Sequence, residues 1–304
     1  MPRHFLSIFD LEKTEIEQLI NRAGQLKKEK RGSVPHQSLL GKTIGMVFEK
    51  LSTRTRVSFQ VAINDLGASP IYLNPNDMQL GRGEIIPDTA KVLSSYLDAV
   101  IIRTYGQDRI TEFASNSSVP VINALTDLEH PTQIVADLFT IQEQGIDISS
   151  FNLTYIGDGN NITNSFIAAS ALLGYNITIC CPEGCEPNEG ILSKSRELGQ
   201  NKIDINHDPA SAVKDADVIY TDVWVSMGQE NESENKENIF QPYQINSNLL
   251  DSSKDNIVIM HCLPAHRGEE ITDEVLSSPN SVVFDQAENK LHAGKAILEY
   301  FIKN

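Results

Sequence analysis

Thr43-Ile44-Gly45-Met46-Val47-Phe48, then Ser52-Thr53-Arg54-Thr55-Arg56, then Phe59, Ile63 and Leu66 at helical spacing: this stretch decides the fold. Its first six residues are apolar and β-rich, which predicts a buried strand, and Gly67 is a natural stop for the helix that follows. The doubly basic, hydroxyl-rich segment therefore sits on a strand-to-helix turn. Free helix N–H groups and the positive end of the helix dipole favour an anion there. Hydroxyl donors and bidentate guanidinium forks suit phosphate better than a simple carboxylate. The bland alternative is a helix cap at Ser52 or Thr53 beside two solvated arginines. No G-x-x-x-x-G-K-[ST] occurs, so the turn is not a nucleotide P-loop.

Outward from this turn, strands alternate with helices, which predicts an α/β fold with parallel sheets covered on both faces. Leu11 to Lys30 reads as an amphipathic helix, Pro70 to Leu73 as a short strand, and Asn74 to Glu84 as a loop with little to bury. Asp88 to Leu97 is helical, Ala99 to Ile102 a strand ending at Arg103, and Pro120 to Ala124 a strand leading to His130. Arg54, Arg103 and His130 each follow a predicted strand and so share one sheet edge, where such sheets gather ligands. Thr132 to Gln144 is a helix, and Gly145 opens the polar break between two domains.

A second series begins at Leu153-Thr154-Tyr155-Ile156-Gly157-Asp158-Gly159-Asn160-Asn161 and continues with a helix from Ser165, a strand at Asn176 to Cys180 and a helix from Gly190. Ala216 to Thr221 is a strand ending at Asp222, Ser226 to Glu237 a long mobile loop, and Ile257 to Met260 a strand running into His261-Cys262. Ser281 to Phe284 reads as the last strand and Glu288 to Ile302 as the closing helix.

At 304 residues the chain is long enough for two cores. Its 40% hydrophobic and 22% charged residues fit a soluble globular protein. A net charge of −16 argues against nucleic-acid or anionic-membrane partners, so an anionic substrate needs a local basic pocket. The opening residues lack the apolar run of a signal peptide, and the expected location is cytoplasmic. Cys180, Cys181, Cys185 and Cys262 show no paired C-x-x-C spacing. His261, Cys262 and His266 lack a second ligand cluster, and neither a metal nor another cofactor is expected.

Three later stretches, taken with Ser52-Thr53-Arg54-Thr55-Arg56, carry a resemblance. They are His130-Pro131-Thr132-Gln133, Asp222-Val223-Trp224-Val225-Ser226-Met227-Gly228 and His261-Cys262-Leu263-Pro264. In these motifs and their order the chain resembles the aspartate/ornithine carbamoyltransferase family, and the last two match its ornithine branch. The resemblance implies transfer of the carbamoyl group of carbamoyl phosphate to the side-chain amine of L-ornithine, giving L-citrulline and phosphate. It implies a carbamoyl-phosphate-binding domain of residues 1–147 plus 288–304, an ornithine-binding domain of residues 148–287, and an active site in the cleft between them. A homotrimer, or a multiple of trimers, is implied as well.

Residue by residue, the resemblance assigns Ser52, Thr53, Arg54, Thr55 and Arg103 to the phosphate. His130, Pro131, Thr132 and Gln133 go to the carbamoyl group, together with Cys262 and the Leu263 carbonyl, and Gln79 reaches in from a neighbouring subunit. Lys290 stands where the family commonly has arginine, keeping the charge without the planar fork. Asn161, Asp222, Ser226 and Met227 are assigned to ornithine. Arg54, Arg103, His130, Asp222 and Cys262 are the expected catalytic set.

Alternatives remain open at this stage. Carbamoylation of putrescine or aspartate is a near neighbour, and a non-catalytic binding protein of the same fold is another. Gly157-x-Gly159 invites a dinucleotide, as in an NAD-dependent dehydrogenase, but Ile162 takes the place of the third glycine.

Overall fold

The computed structural model describes residues 2–74, 78, 79, 83–199, 201–225 and 233–303, and the side chains of these apart from 233–236. The chain forms two compact units, Met1–Phe139 with Glu288–Asn304, and Thr140–Ala287. Each holds one parallel sheet with helical connections, the α/β architecture expected.

In the first unit the order is α1 (Lys13–Arg31), β1 (Thr43–Phe48), α2 (Arg54–Asp65), β2 (Ser69–Leu73), α3 (Ile86–Tyr96), β3 (Ala99–Arg103), α4 (Gln107–Ser115), β4 (Val121–Leu125) and α5 (Pro131–Glu143). The strands lie in the order β2-β1-β3-β4. From β1 the chain moves outward to β2, then returns to β3 on the other side, so the sheet's switch point lies between β1 and β3. There Phe48 pairs with Arg103, and the turns carrying Arg54 and Arg103 leave neighbouring strand ends. Ligands of open parallel sheets collect at such switch points. Gly45 lets Leu97 pack close against β1: a Cβ there would stand 2.6 Å from Leu97 Cδ1, and that side chain would have to shift.

The second unit contains β5 (Asn152–Ile156), α6 (Asn161–Leu173), β6 (Asn176–Cys180), α7 (Glu189–Leu198), β7 (Ile203–Asn206), α8 (Pro209–Ala212), β8 (Val218–Thr221), α9 (Ser233–Phe240), α10 (Ser247–Leu250), β9 (Val258–His261) and α11 (Asp273–Leu276). α12 (Val283–Lys303) then carries the chain back into the first unit. The order β7-β6-β5-β8-β9 puts this switch point between β5 and β8. The Gly157–Asn160 loop and Asp222 emerge beside each other there, since Ile156 pairs with Thr221.

Three local expectations fail. Ser281 to Phe284 is not a strand. Only Ser281 bridges Ile259, and α12 begins at Val283, its first turn fixed by the Gln286 N–H donating to the Val282 carbonyl. Residues 233–237 are not loop but the start of α9, whose end is anchored by Phe240, fully buried and stacked 6.0 Å from Trp224. That anchor outweighs the polar composition. Met78, in a loop expected to bury little, packs against the first unit's core. β7, an edge strand of half-buried residues, carried no clear apolar signal and was not foreseen.

Candidate active site

In the first unit, a candidate cluster is built at the β1–β3 switch point. Thr53 occupies the N-cap of α2 and its side chain makes no capping bond. The hydroxyl is therefore not spent on the helix. The first helical bond runs from Val57 N–H to the Thr53 carbonyl, so the N–H groups of Arg54, Thr55 and Arg56 precede the helix's own bonding pattern. Ser52 and Arg54 are half-buried, Thr53 is exposed, and Thr55 is buried. Arg56 turns elsewhere, its guanidinium 4.3 Å from the Tyr72 ring centroid. Of the two arginines in the motif, only Arg54 stays a candidate for the anion.

Arg103 ends β3 and is buried. His130 precedes α5, where its carbonyl accepts from Gln133 N–H at 3.0 Å, and Pro131 opens the helix at the position that needs no N–H. Burial first, then the charges of Lys290 and Arg103, hold the His130 imidazole well below its usual titration range. It is neutral at pH 7 and offers one N–H. Thr132 and Gln133 are buried beside it, with the Thr132 hydroxyl 3.5 Å from His130 Nδ1. Lys290 on α12 donates to Gln133 Oε1, so Arg103, His130, Gln133 and Lys290 form one cluster. Gln79 is exposed.

In the second unit, another candidate cluster sits at the β5–β8 switch point. Asp222 Oδ1 accepts from its neighbour's Val223 N–H at 2.9 Å and from the Cys262 thiol at 3.0 Å, and Oδ2 accepts from Asn160 Nδ2 at 3.0 Å. These three donors are neutral. A largely buried carboxylate so surrounded is a receptor for a cationic amine. Asn160 also caps α6, its Oδ1 accepting from the N–H groups of Ile162 and Thr163. The amide that orients Asp222 belongs to Asn160, a residue to which the resemblance gave no role, while Asn161, expected at the α-carboxylate or α-amine of ornithine, is half-buried at the first position of α6. The signal was available: Asn-x-x before an apolar run is an N-cap pattern. Ser226 and Met227 lie outside the described residues.

Cys262 and Leu263 are held by a buried scaffold that the sequence did not announce. His261 Nδ1 accepts from Leu263 N–H at 2.9 Å, and its Nε2 faces Glu270 Oε1 at 2.8 Å, both side chains being fully buried. Glu270 Oε1 also accepts from His266 N–H at 2.7 Å. Leu263 has φ of 56°, a left-handed conformation that a branched residue adopts only when its surroundings impose it. The His261 imidazole, accepting from the Leu263 N–H, is one such constraint on this turn.

Asp222 joins His261 and Cys262 in a group whose potential ligand atoms lie within 4.8 Å of one another, which the sequence reading, looking for ligands near His261, did not find. Both nitrogens of His261 are nonetheless engaged by Leu263 and Glu270. Gly159 has a packing role, because a Cβ there would meet the Glu186–Pro187 backbone at 2.4 Å. The second glycine of G-x-G is thus accounted for without a pyrophosphate.

Among the described residues no helix is long and apolar enough to cross a membrane. The sequence matches the family described as "Aspartate/ornithine carbamoyltransferase, carbamoyl-P binding domain" over residues 3–143, and its "Asp/Orn binding domain" over residues 149–301. Curated relatives include an ornithine carbamoyltransferase of Archaeoglobus fulgidus, 54% identical across 97% of this chain and 96% of its own length. One from Syntrophus aciditrophicus is 49% identical over 99% of this chain and 100% of its own. Among solved structures, the ornithine carbamoyltransferase of Pyrococcus furiosus aligns with a TM-score of 0.95 at 47% identity, covering 99% of this chain and 97% of that one. The chain belongs to the aspartate/ornithine carbamoyltransferase family.

Proposed function

We propose that the chain transfers the carbamoyl group of carbamoyl phosphate to the side-chain amine of L-ornithine, giving L-citrulline and phosphate. The observation that carries this reading is the Cys262–Asp222–Asn160 arrangement, an anionic receptor for an amine in the unit matched as the amino-acid-binding domain. Full-length relatives named ornithine carbamoyltransferase support the same acceptor.

In the proposed reaction Ser52, Thr53, Arg54, Thr55 and Arg103 hold the phosphate and neutralise the charge it gains as it leaves. Neutral His130 donates to the carbamoyl oxygen, with Pro131, Thr132, Gln133 and Lys290 shaping that end. The amine lone pair attacks the carbonyl carbon, the new C–N bond forms, the C–O bond to phosphate breaks, and the proton that the nitrogen then sheds leaves with the departing phosphate. An alkyl amine has a reference pKa of about 10.4, so it arrives protonated and must lose that proton before attack. Asp222 and Cys262 are the groups placed to govern the loss, with the Leu263 carbonyl on the carbamoyl nitrogen. Asn161, Ser226 and Met227 are assigned to the α-amino acid end.

Residues 1–147 with 288–304 are the proposed carbamoyl-phosphate half and 148–287 the ornithine half. The proposed assembly, a homotrimer or a multiple of it, follows from the family resemblance, and the exposed Ile71 and Tyr72 on edge strand β2 agree with a covering neighbour of some kind. In it Gln79 acts on the adjoining subunit. Mixing Arg103→Ala with Gln79→Ala chains then restores activity in hybrids, and no recovery despite subunit exchange contradicts it. Four free cysteines agree with the proposed cytoplasmic location.

The test is stoichiometric. Carbamoyl phosphate and ornithine supplied to the purified chain should yield citrulline and phosphate in equal amounts, and phosphate release without citrulline would contradict the transfer.

A further inference from the structure

Gln133 is held at both ends. Its Nε2 donates to Asp137 Oδ1 at 2.8 Å, one turn further along α5, and its Oε1 accepts from the Lys290 ammonium on α12. Gln133 is 1% exposed and Asp137 0%, so water is not there to replace either bond. An ammonium only donates and a carboxylate only accepts. Turning the amide over would set its NH2 against the ammonium and its oxygen against the carboxylate, leaving buried polar groups unpaired. Asp137 and Lys290 therefore dictate a single orientation of the Gln133 amide.

That orientation has a chemical consequence. Lys290 uses one of the two lone pairs on Oε1, and the second remains for another donor in the cluster around His130. Carbamoyl phosphate carries an NH2 where acetyl phosphate, of nearly the same size, carries a methyl group. A pinned oxygen acceptor distinguishes the two, whereas a freely turning amide presents either end. We propose that Asp137 is the positioning residue that makes the donor site selective for a carbamoyl group, acting through the amide of Gln133. This rests on the carbamoyl-phosphate reading above.

The experiment compares the KM of carbamoyl phosphate in the citrulline assay with the inhibition constant of acetyl phosphate. In Asp137→Leu the ratio of the second to the first should fall at least about tenfold, the worth of one buried hydrogen bond. Asp137→Asn still offers Gln133 an oxygen and should hold the ratio within about twofold. A role in folding alone would lower stability and rate and leave the ratio where it was. A folded Asp137→Leu chain with the wild-type ratio, or an Asn variant that loses the ratio as fully as the Leu variant, overturns the proposal. If the leucine variant does not fold, Asp137→Ser keeps a polar group that both donates and accepts. It should lower the ratio about threefold, and an unchanged ratio overturns the proposal. Failure of the wild-type chain to form citrulline would instead strike the underlying reading.

Discussion

The Cys262 thiol donates to Asp222 Oδ1 across 3.0 Å, joining two turns forty residues apart in sequence into one pair beside Asn160. Replacing Asp222 by Asn keeps the shape and removes the charge that would meet the acceptor's amine. Hydrogen bonds to charged groups are worth roughly 1.5–3 kcal/mol, so kcat/KM for ornithine should fall between about tenfold and a hundredfold, with the carbamoyl phosphate KM nearly unmoved. Unchanged ornithine kinetics would remove Asp222 from the site.

The arginines make the complementary prediction. Arg54 opens α2 and Arg103 closes β3 at adjacent strand ends, the place proposed for the leaving phosphate. Arg54→Ala and Arg103→Ala should each lower kcat on the order of a hundredfold or more, the usual cost of one donor to developing charge. Near-normal citrulline production from either variant sinks the assignment.

Lys290 is one of two cations that keep the His130 imidazole neutral, after burial itself. In Lys290→Ala that repulsion is gone, so the His130 titration should move up toward the ordinary histidine range, visible in the imidazole proton shifts by NMR. The carbamoyl phosphate KM should rise with it. A His130 titration that stays put, with an unchanged KM, takes Lys290 off the list of site residues.

His292, on α12, is 1% exposed, and desolvation lowers its pKa to about 4 in spite of Glu288 Oε1 at 3.5 Å. The folded chain then binds fewer protons than the unfolded one between pH 6.5 and 4. Stability is intact above that window and falls as the pH drops through it, by about 3 kcal/mol in all for this group. Urea unfolding at pH 7 and at pH 5 should show His292→Gln losing roughly 2 kcal/mol less than the wild type over that interval. Equal losses would mean that His292 is not the group responsible.

Most of the fold was legible because both sheets are parallel and buried, and their strands read as short apolar runs such as Thr43–Phe48 and Val218–Thr221. Two of the failures share one physical cause. Ser281 to Phe284 and residues 233–237 are short segments whose local preference is overruled by tertiary anchors, Gln286 on His261 N–H in one case and Phe240 against Trp224 in the other. At the site, motif residues announced themselves by type and spacing. Asn160, Glu270 and Asp137 did not, because their work is to orient another side chain, and that depends on which groups the fold brings within 3 Å.

Acceptor choice tests the central claim most directly. Carbamoyl phosphate would be presented with ornithine, putrescine or aspartate, and the carbamoylated products measured for each. Aspartate lacks a side-chain amine for Asp222 and Cys262, and its second carboxylate would face Asp222. Putrescine has the amine and no α-carboxylate, which leaves the groups proposed at Asn161, Ser226 and Met227 without their partner. A site built to hydrogen-bond a missing group discriminates by roughly ten-thousandfold. The predicted result is ornithine preferred on that scale, and a kcat/KM for putrescine or aspartate equal to that for ornithine would contradict the account.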